Sequence, residues 1–435
     1  MNEKLYILGP QSVKGTIEVS GAKNSVLPIM CASLLSEQIV ELSNVPNLND
    51  VSILRGLINE IGRPSEKFEE NIYFSEKTSN YNIVVSEDAN KIRYSVLLLG
   101  ALLATNKEVI LPLPGGCSFS ARPIDIHLEG LKQLGAEIIE EGNYIKATAK
   151  ELVGADITLR FPSVGATENL IIASAKASGK TILRNIAIEP EIIDLIDFLN
   201  SLGAKIKFIG SQTLEIMGVK KLGEKKVNHR IISDRIEAGT YLFLGALAAE
   251  NYIDIENFEI QYNISLLKVA QKIGIEFKIL SSNKIRVYKS NVLKAVEVET
   301  GVYPELATDL QPLLAVLLTQ ASGISKIIDP IYPSRFQYAN ELNSMGTDID
   351  FIDSGIKIRG GSKLSATKDV YSYDLRGGAA LILAALIAEG ESEITNVYQI
   401  YRGYSNLDMK LKGLGVSLDR DISGEERSYH ELSTK

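Results

Sequence analysis

The sequence has few of the residues that build metal sites and disulfide frameworks. Its 435 residues include two cysteines and three histidines, and the histidines lie far apart at His127, His229 and His430. Two cysteines cannot form a disulfide framework, and scattered histidines lack the spacing of a zinc site. We therefore expect no structural metal and no disulfide-stabilised fold.

Long apolar runs and an excess of basic residues are also missing. Apolar stretches such as residues 96–104 are much shorter than the ~20 residues that span a bilayer, and the N-terminal residues lack the pattern of a secretory signal. The formal net charge of -8 argues against a nucleic-acid partner, because phosphate binding needs a positive face. Neither a Walker A sequence nor a clear dinucleotide fingerprint occurs. These features predict a cytoplasmic protein without membrane insertion or a cofactor; they do not define its oligomeric state.

What the sequence does contain is a sixfold repeat. A hydrophobic residue followed by glycine recurs at intervals of 68 to 73 residues, at Gly62, Gly135, Gly203, Gly274, Gly346 and Gly415. Such a constant interval indicates repeated structural units. An amphipathic helix pattern precedes each glycine, which provides the C-terminal stop. Further upstream, each copy has a second helix pattern that is apolar on nearly all sides and is therefore expected to be buried.

Each repeat thus predicts strands alternating with two helices. A unit of this size is too small to be very stable alone, so three units sharing one core is the natural arrangement. The chain length also favours two to three domains. We predict an α/β protein of two domains with three repeated units each, in which the apolar helices lie inside.

Polar residues recur just ahead of the apolar helices. They include Lys23-Asn24, Lys91-Ile92-Arg93, Ser163-Val164-Gly165, Asp234-Arg235-Ile236-Glu237, Thr308-Asp309 and Asp374-Leu375-Arg376. Helix N-termini present free N–H groups and a positive dipole end, so several of them together predict an anion site. Serine and aspartate at such positions are equally common as N-caps, and both interpretations stay open.

One of the two cysteines lies in a loop sequence that contains two glycines. Cys117 follows Pro114-Gly115-Gly116 and precedes Arg122 by five residues. A thiol is chemically useful where it is accessible and its pKa is tuned, whereas a small residue in a surface turn is the alternative. Cys31 lies within an apolar helix pattern and is expected to be inert packing.

Several segments closely resemble the UDP-N-acetylglucosamine 1-carboxyvinyltransferase family, which is related to EPSP synthase. They are SGAKNSVLP (20–28), PGGCSFSARPIDIHLEGL (114–131), SVGATENL (163–170), SDRIEAGT (233–240), TDLQP (308–312), DLR (374–376) and YRGY (401–404). The resemblance implies two inside-out α/β barrel domains with the active site in the cleft between them. It implies one domain of residues 22–231 and a second of residues 1–21 plus 232–435, with hinge crossings near residues 21 and 231.

The resemblance also implies a reaction. Members of this family transfer the enolpyruvyl group of phosphoenolpyruvate to the 3′-hydroxyl of UDP-N-acetylglucosamine in peptidoglycan synthesis, without a cofactor. It implies that Cys117 donates a proton and that Asp309 is the base. Lys23, Arg122 and Arg402 match positions that the family uses for phosphoenolpyruvate, with Asn24 beside Lys23, and the resemblance implies that Lys23 and Arg402 also act in catalysis. Those that match nucleotide-sugar or other functional positions are Arg93, Arg122, Pro123, Ile124, Asp125, Ile126, Ser163, Val164, Gly165, Asp309, Ile331, Arg335, Asp374 and Arg376.

Alternatives remain for some of these residues. Asp309 is also a candidate N-cap after Thr308, and Arg335, Asp374 and Arg376 are candidates for ion pairs across the cleft. The residues that depart from the family pattern are Phe161, Ala307, Tyr332, Gln399 and Tyr401. They leave open an enolpyruvyl transferase for a different acceptor, and a UDP-sugar-binding paralogue without turnover is a further alternative. The sister reaction on shikimate 3-phosphate is disfavoured because that family lacks the cysteine loop.

Overall fold

The structure is a computed structural model that describes residues 3–77, 81–115 and 123–421. Within these residues the chain forms twelve α-helices: α1 (Lys23–Ser33), α2 (Asn49–Ile61), α3 (Leu97–Asn106), α4 (Asp125–Gln133), α5 (Val164–Ser174), α6 (Pro190–Ser201), α7 (Arg235–Ala248), α8 (Ile264–Ile273), α9 (Gln311–Thr319), α10 (Tyr338–Ser344), α11 (Leu375–Ile387) and α12 (Leu407–Gly413). Short 3₁₀ turns occur at Glu87–Lys91, Arg93–Val96, Ile260–Tyr262, Thr308–Leu310 and Val397–Arg402.

The strands are short and complete the repeated units. They are β1 (Lys4–Gly9), β2 (Val13–Glu18), β3 (Val40–Ser43), β4 (Ser65–Phe68), β5 (Asn71–Phe74), β6 (Glu108–Pro112), β7 (Glu137–Glu141), β8 (Tyr144–Thr148), β9 (Asp156–Thr158), β10 (Lys180–Arg184), β11 (Lys205–Gly210), β12 (Thr213–Met217), β13 (Val227–Arg230), β14 (Ala249–Glu256), β15 (Phe277–Ser281), β16 (Lys284–Tyr288), β17 (Glu297–Glu299), β18 (Ile324–Ile328), β19 (Asp348–Ile352), β20 (Gly355–Arg359), β21 (Val370–Tyr371), β22 (Gly390–Thr395) and β23 (Leu418–Asp421).

The strands of the described residues form six small sheets that share one plan. In β17-β18-β20-β19, for example, β17 runs parallel to β18, and β20 and β19 continue the sheet antiparallel. The same pattern holds in β9-β10-β12-β11, β13-β3-β5-β4, β2-β14-β16-β15 and β21-β22-β1-β23. The sixth sheet, β6-β8-β7, has a parallel bridge from Val84 to Ile110 where the others have an edge strand. One sheet for each sequence repeat confirms the predicted sixfold organisation.

The two kinds of predicted helix occupy different environments. Helices α1, α3, α5, α7, α9 and α11 are buried over nearly their whole length, and all seven residues from Leu97 to Leu103 in α3 are inaccessible or nearly so. Helices α2 and α8 bury one face and expose the other, whereas α6 is mostly buried and exposes only Asp197 and Ser201. A sequence that is apolar all round can only be accommodated inside. The prediction of an α/β fold with buried central helices is therefore confirmed. No helix of the described residues is long and apolar enough to cross a membrane.

Glycine ends each amphipathic helix for a conformational reason. Gly62, Gly135, Gly203, Gly274, Gly346 and Gly415 all have positive φ, between 92° and 116°. L-residues with a Cβ rarely adopt this backbone region, so the chain can reverse there without strain only at glycine. The repeat seen in the sequence is therefore a repeat of helix C-termini.

Two glycines, one inside an amphipathic helix and one just after another, allow the backbone effect to be measured without a change in side-chain packing. A Cβ at Gly203, where φ is 98°, would contact nothing within 4 Å, and the same holds for Gly56 inside α2. We expect Gly203→Ala to destabilise by about 1 kcal/mol through backbone strain alone. Gly56→Ala, in contrast, should stabilise by roughly 0.5–1 kcal/mol because alanine favours the helix. Chemical unfolding of both variants measures the difference, and a stabilising Gly203→Ala would contradict the explanation.

The chain divides into two compact units. The N-terminal unit contains residues 19–235 and 302–306, and the C-terminal unit contains the described residues of 1–18, 236–301 and 307–435. Each unit holds three of the six sheets. That each folds as a domain, with the hinges predicted near residues 21 and 231, stays a prediction.

Two strands are exchanged in the topology. β2 directly precedes α1 in the chain but pairs in parallel with β14 in the C-terminal unit. β13 directly precedes α7 but pairs in parallel with β3 in the N-terminal unit. The segments that follow these strands hydrogen-bond to one another: Ala22 N donates to Ile232 O at 2.7 Å and Asp234 N to Ser20 O at 2.8 Å.

Candidate functional site

In the C-terminal unit, one carboxylate is held between two arginines. Asp309 lies in the 3₁₀ turn before α9. Its Oδ1 accepts from Arg335 Nη1 at 2.6 Å and its Oδ2 from Arg376 Nε at 3.2 Å. The N-cap of α9 is Leu310, so Asp309 is not the N-cap that the sequence offered as an alternative. Its side chain keeps 26% of its exposure, which leaves it accessible for chemistry.

The two arginines are themselves buried and need this negative charge. Both side chains are 2% exposed. Burial by itself lowers the pKa of Arg335, but Asp309 and Asp374 outweigh it and raise that pKa. Asp374 also caps α11, accepting from Arg376 N at 2.9 Å and Gly377 N at 3.2 Å. Ion pairing thus occurs for Arg335, Asp374 and Arg376, but within one unit rather than across a cleft.

The other predicted residues of this unit lie in two loops. Arg402 ends a 3₁₀ turn, and its Nη1 donates to Gln399 Oε1 at 3.1 Å. Ile331 N and Tyr332 N both donate to Asp329 Oδ1, at 3.1 and 3.0 Å. Gln399, which departs from the family pattern, therefore contacts a predicted phosphoenolpyruvate ligand directly. The Tyr401 side chain has other partners: its hydroxyl donates to Asp408 Oδ1, and the Arg420 guanidinium carbon lies 3.8 Å from the centre of its ring.

In the N-terminal unit, Lys23 forms a buried ion pair. Lys23 Nζ lies 2.7 Å from Asp50 Oδ2, and the two side chains are 8% and 4% exposed. Asp50 comes from the first turn of α2, where a carboxylate also suits the helix dipole. Asn24, next in α1, is partly buried. The predicted substrate lysine is thus already neutralised by a residue that the sequence analysis missed.

Removing the Lys23 charge should cost much more than removing an exposed one. Lys23→Met leaves the Asp50 carboxylate buried without its cation, and we expect a loss of about 3 kcal/mol in unfolding free energy. Lys91→Met is the matched control, because its Nζ also lies 2.7 Å from a carboxylate, Asp88, but the pair is 56% and 54% exposed. That variant should change stability by less than about 0.5 kcal/mol. Chemical unfolding decides, and equal losses would contradict the buried-pair interpretation.

The predicted nucleotide-sugar residues of the N-terminal unit gather around His127. Arg93 Nη2 donates to Pro123 O at 3.1 Å, and Asp125 forms an ion pair with Arg160. Burial lowers the pKa of His127 to about 3, and Arg93 acts in the same direction. A Cβ at Gly165 would lie 3.1 Å from the His127 ring, so glycine permits this close approach. His127 is therefore neutral near pH 7 and packs closely against Gly165.

Helix α5 begins next to His127. Ser163 is its N-cap, and its side chain accepts from Ala166 N at 3.4 Å. The N-cap interpretation thus holds for Ser163, while contact of Ser163, Val164 and Gly165 with substrate stays a prediction. Ile124 and Ile126 pack partly buried against the core of this unit. Phe161, one of the departures, is exposed.

Two predicted residues, Cys117 and Arg122, lie outside the described residues. Cys31 lies within them and is fully buried, where burial raises the pKa of its thiol, as expected for a packing cysteine. Three residues that contact predicted site residues were not themselves predicted to belong to the site: Asp50, His127 and Arg160. An acidic residue in the first turn of α2 was the only sequence signal for Asp50. Among residues 3–77, 81–115 and 123–421, no cluster of three or more possible metal ligands occurs.

The sheet plan and the match to a family model define the class of this protein. The chain belongs to the EPSP synthase family, whose model, described as EPSP synthase (3-phosphoshikimate 1-carboxyvinyltransferase), matches residues 7–411. Among solved structures of this fold, the enolpyruvyl transferase NikO from Streptomyces tendae superposes with a TM-score of 0.89 at 22% identity, over 96% of this chain and 99% of that one. EPSP synthase from Acinetobacter baumannii gives 0.75 at 17% identity, over 97% and 100%.

Similarity in sequence is higher to one named group. UDP-N-acetylglucosamine 1-carboxyvinyltransferase 1 of Carboxydothermus hydrogenoformans is 42% identical over 427 residues, which cover 98% of this chain and 100% of the relative. The protein named UDP-N-acetylglucosamine 1-carboxyvinyltransferase in Halothermothrix orenii is 42% identical over 416 residues, or 95% and 99%. UDP-N-acetylglucosamine 1-carboxyvinyltransferase 2 of Bacillus subtilis is 40% identical over 425 residues, or 98% of each chain.

Proposed function

We propose that this chain transfers the enolpyruvyl group of phosphoenolpyruvate to the 3′-hydroxyl of UDP-N-acetylglucosamine, with release of phosphate. The observation that carries the proposal is identity of 39–42% over nearly the whole chain to proteins named for this activity. The placement of Asp309 supports it, because two buried arginines hold this carboxylate while it keeps 26% exposure, as a base that must reach a substrate hydroxyl requires. The reaction would serve peptidoglycan synthesis in the cytoplasm.

The chemistry requires one acid and one base. In the addition step, Asp309 takes the proton of the sugar 3′-hydroxyl, and the oxygen of that hydroxyl forms a bond to C2 of phosphoenolpyruvate. Cys117 gives a proton to C3, which produces a tetrahedral ketal that still carries the phosphate. In the elimination step, a proton leaves C3, the C2–O bond to phosphate breaks, and the enol ether is formed. No redox partner is needed, and protons alone are exchanged with the protein.

The remaining residues bind and orient the substrates. Lys23, Asn24, Arg122 and Arg402 are assigned to phosphoenolpyruvate, and guanidinium groups suit its planar carboxylate and its phosphate. Arg93, residues 123–126, residues 163–165 and Ile331 are assigned to the nucleotide sugar. Arg335, Asp374 and Arg376 hold Asp309 in place, as their ion pairs allow.

Phosphate release from phosphoenolpyruvate tests the proposal directly. We expect release with UDP-N-acetylglucosamine, none without an acceptor, and none with shikimate 3-phosphate. Release with shikimate 3-phosphate alone would assign the sister activity instead. A protein that binds UDP-N-acetylglucosamine, seen as a raised thermal midpoint, yet releases no phosphate would be the non-catalytic paralogue.

A different acceptor is the second candidate function. Gln399, which replaces the family's usual histidine, bonds Arg402 directly, so this departure lies at a predicted substrate ligand. Comparing several UDP-sugars as acceptors at equal concentration separates the two functions. Higher turnover with another UDP-sugar than with UDP-N-acetylglucosamine would favour the second.

A further inference from the structure

A short segment of the chain belongs to a different unit from the residues on both sides of it. Residues 302–306, here called the strap, belong to the N-terminal unit, although residues 236–301 and 307–421 on both sides belong to the C-terminal unit. The strap is compact: Glu305 N donates to Val302 O at 3.0 Å, and Leu306 is buried. Asp309 follows only three residues after its end.

Arg235 and Glu189 hold the strap through Tyr303. The Arg235 guanidinium lies 5.6 Å from the centre of the Tyr303 ring, within the range of a cation–π contact. The Tyr303 backbone hydrogen-bonds to Glu189, whose side chain is mostly buried. These contacts come from the N-cap of α6 and the first residue of α7, both of which are well-packed elements.

The anchor itself is fixed by further charges. Arg235 Nε donates to Glu191 Oε1 at 3.0 Å, with the two side chains 14% and 5% exposed. Burial opposes the charge on Arg235, but Glu191 and Glu189 raise its pKa. Glu168 is fully buried near these carboxylates, neither of its carboxylate oxygens is hydrogen-bonded, and burial raises its pKa. Arg235 is therefore a charged group with little freedom to move.

We propose that Arg235 and Tyr303 are positioning residues, which hold the strap so that the turn carrying Asp309 stays in the geometry for proton transfer. The inference rests on the proposed function for its catalytic part. Arg335 and Arg376 hold the Asp309 side chain by hydrogen bonds. The strap holds the backbone that precedes Asp309. Displacement of a catalytic group by about 1 Å can cost roughly a hundredfold in rate, so a backbone anchor at this point has a large effect.

Two amide groups report on the positions of the strap and of the turn. Glu305 N is bonded within the strap, and Leu310 N donates to Ala307 O at 3.0 Å within the turn of Asp309. In Tyr303→Ala we expect faster hydrogen exchange at both amides and a kcat lower by about tenfold. KM for both substrates should stay within about twofold, because substrate ligands are untouched.

Two control variants isolate the anchor. Tyr303→Phe keeps the aromatic ring and should behave like the parent. Tyr252→Ala removes a surface tyrosine whose ring also lies over an arginine, Arg286, at 3.8 Å, and it should leave exchange at Glu305 and Leu310 unchanged. Unchanged exchange at Leu310 in Tyr303→Ala would overturn the proposal, as would faster exchange with an unaltered kcat. If the parent itself transfers no enolpyruvyl group, the proposed function fails, and exchange at Leu310 alone decides whether the strap holds the turn.

Discussion

Asp309→Asn should lower kcat by a factor of about 10² to 10⁴, because the amide cannot accept the proton of the attacking hydroxyl. It also removes the negative charge that Arg335 and Arg376 share, and both of these side chains are buried. We therefore expect a lower thermal midpoint in addition to the lower kcat. Steady-state phosphate release and thermal unfolding, measured on the same preparation, give both effects.

A second aspartate shows whether the effect is specific. Asp348 lies 2.6 Å from Arg359, the same distance that separates Asp309 from Arg335, but it is 58% exposed. Asp348→Asn should leave kcat unchanged and alter stability by less than about 0.5 kcal/mol. If Asp309→Asn were less stable but turned over normally below its midpoint, Asp309 would be structural and another group would be the base.

Cys117→Ala should also reduce transfer by about 10² to 10⁴, because no proton donor would remain for C3. Cys117→Asp should retain transfer, since a carboxylic acid can donate the same proton. Sensitivity to an epoxide that alkylates thiolates, such as fosfomycin, should also differ. The epoxide should inactivate the parent and leave Cys117→Asp active. Phosphate release before and after prolonged exposure measures this.

The other cysteine provides the control. Cys31 is fully buried and burial raises the pKa of its thiol, so it should not react in the folded protein. Iodoacetamide should add one label to the native parent and to Cys31→Ala, and none to native Cys117→Ala. A label on native Cys31, or full transfer activity in Cys117→Ala, would contradict the assignment.

The features that sequence predicted well are those that depend on local backbone and periodicity. A glycine with positive φ follows each amphipathic helix because residues with a Cβ rarely adopt that conformation, and a helix that is apolar on all sides must be buried. The sixfold plan and the buried helices were therefore predictable. The exchange of β2 and β13 between units could not be derived from the residues, because either strand could pair with either sheet, and only the family resemblance indicated the crossings.

Charged residues were predictable as sites but not as pairs. Sequence marked Lys23, Asp309 and Asp374 as polar groups at helix starts, and the structure separates them into three different roles. Asp374 is a cap, Asp309 joins two arginines, and Lys23 pairs with Asp50. Such partners are brought together by tertiary packing, so neither spacing nor composition identifies them.

The place of β1 in its sheet has a consequence for synthesis on the ribosome. β1 pairs with β22 on one side and with β23 on the other, so both of its neighbours are translated hundreds of residues after it. The N-terminal unit, in contrast, has all of its described strands, β3 to β13, once Arg235 has emerged. A nascent chain would therefore carry β1 as an unpaired strand beside a largely formed N-terminal unit until translation nears its end, whereas β2 gains its partner β14 much earlier. This interval is when the growing polypeptide most needs chaperone protection against pairing with other chains.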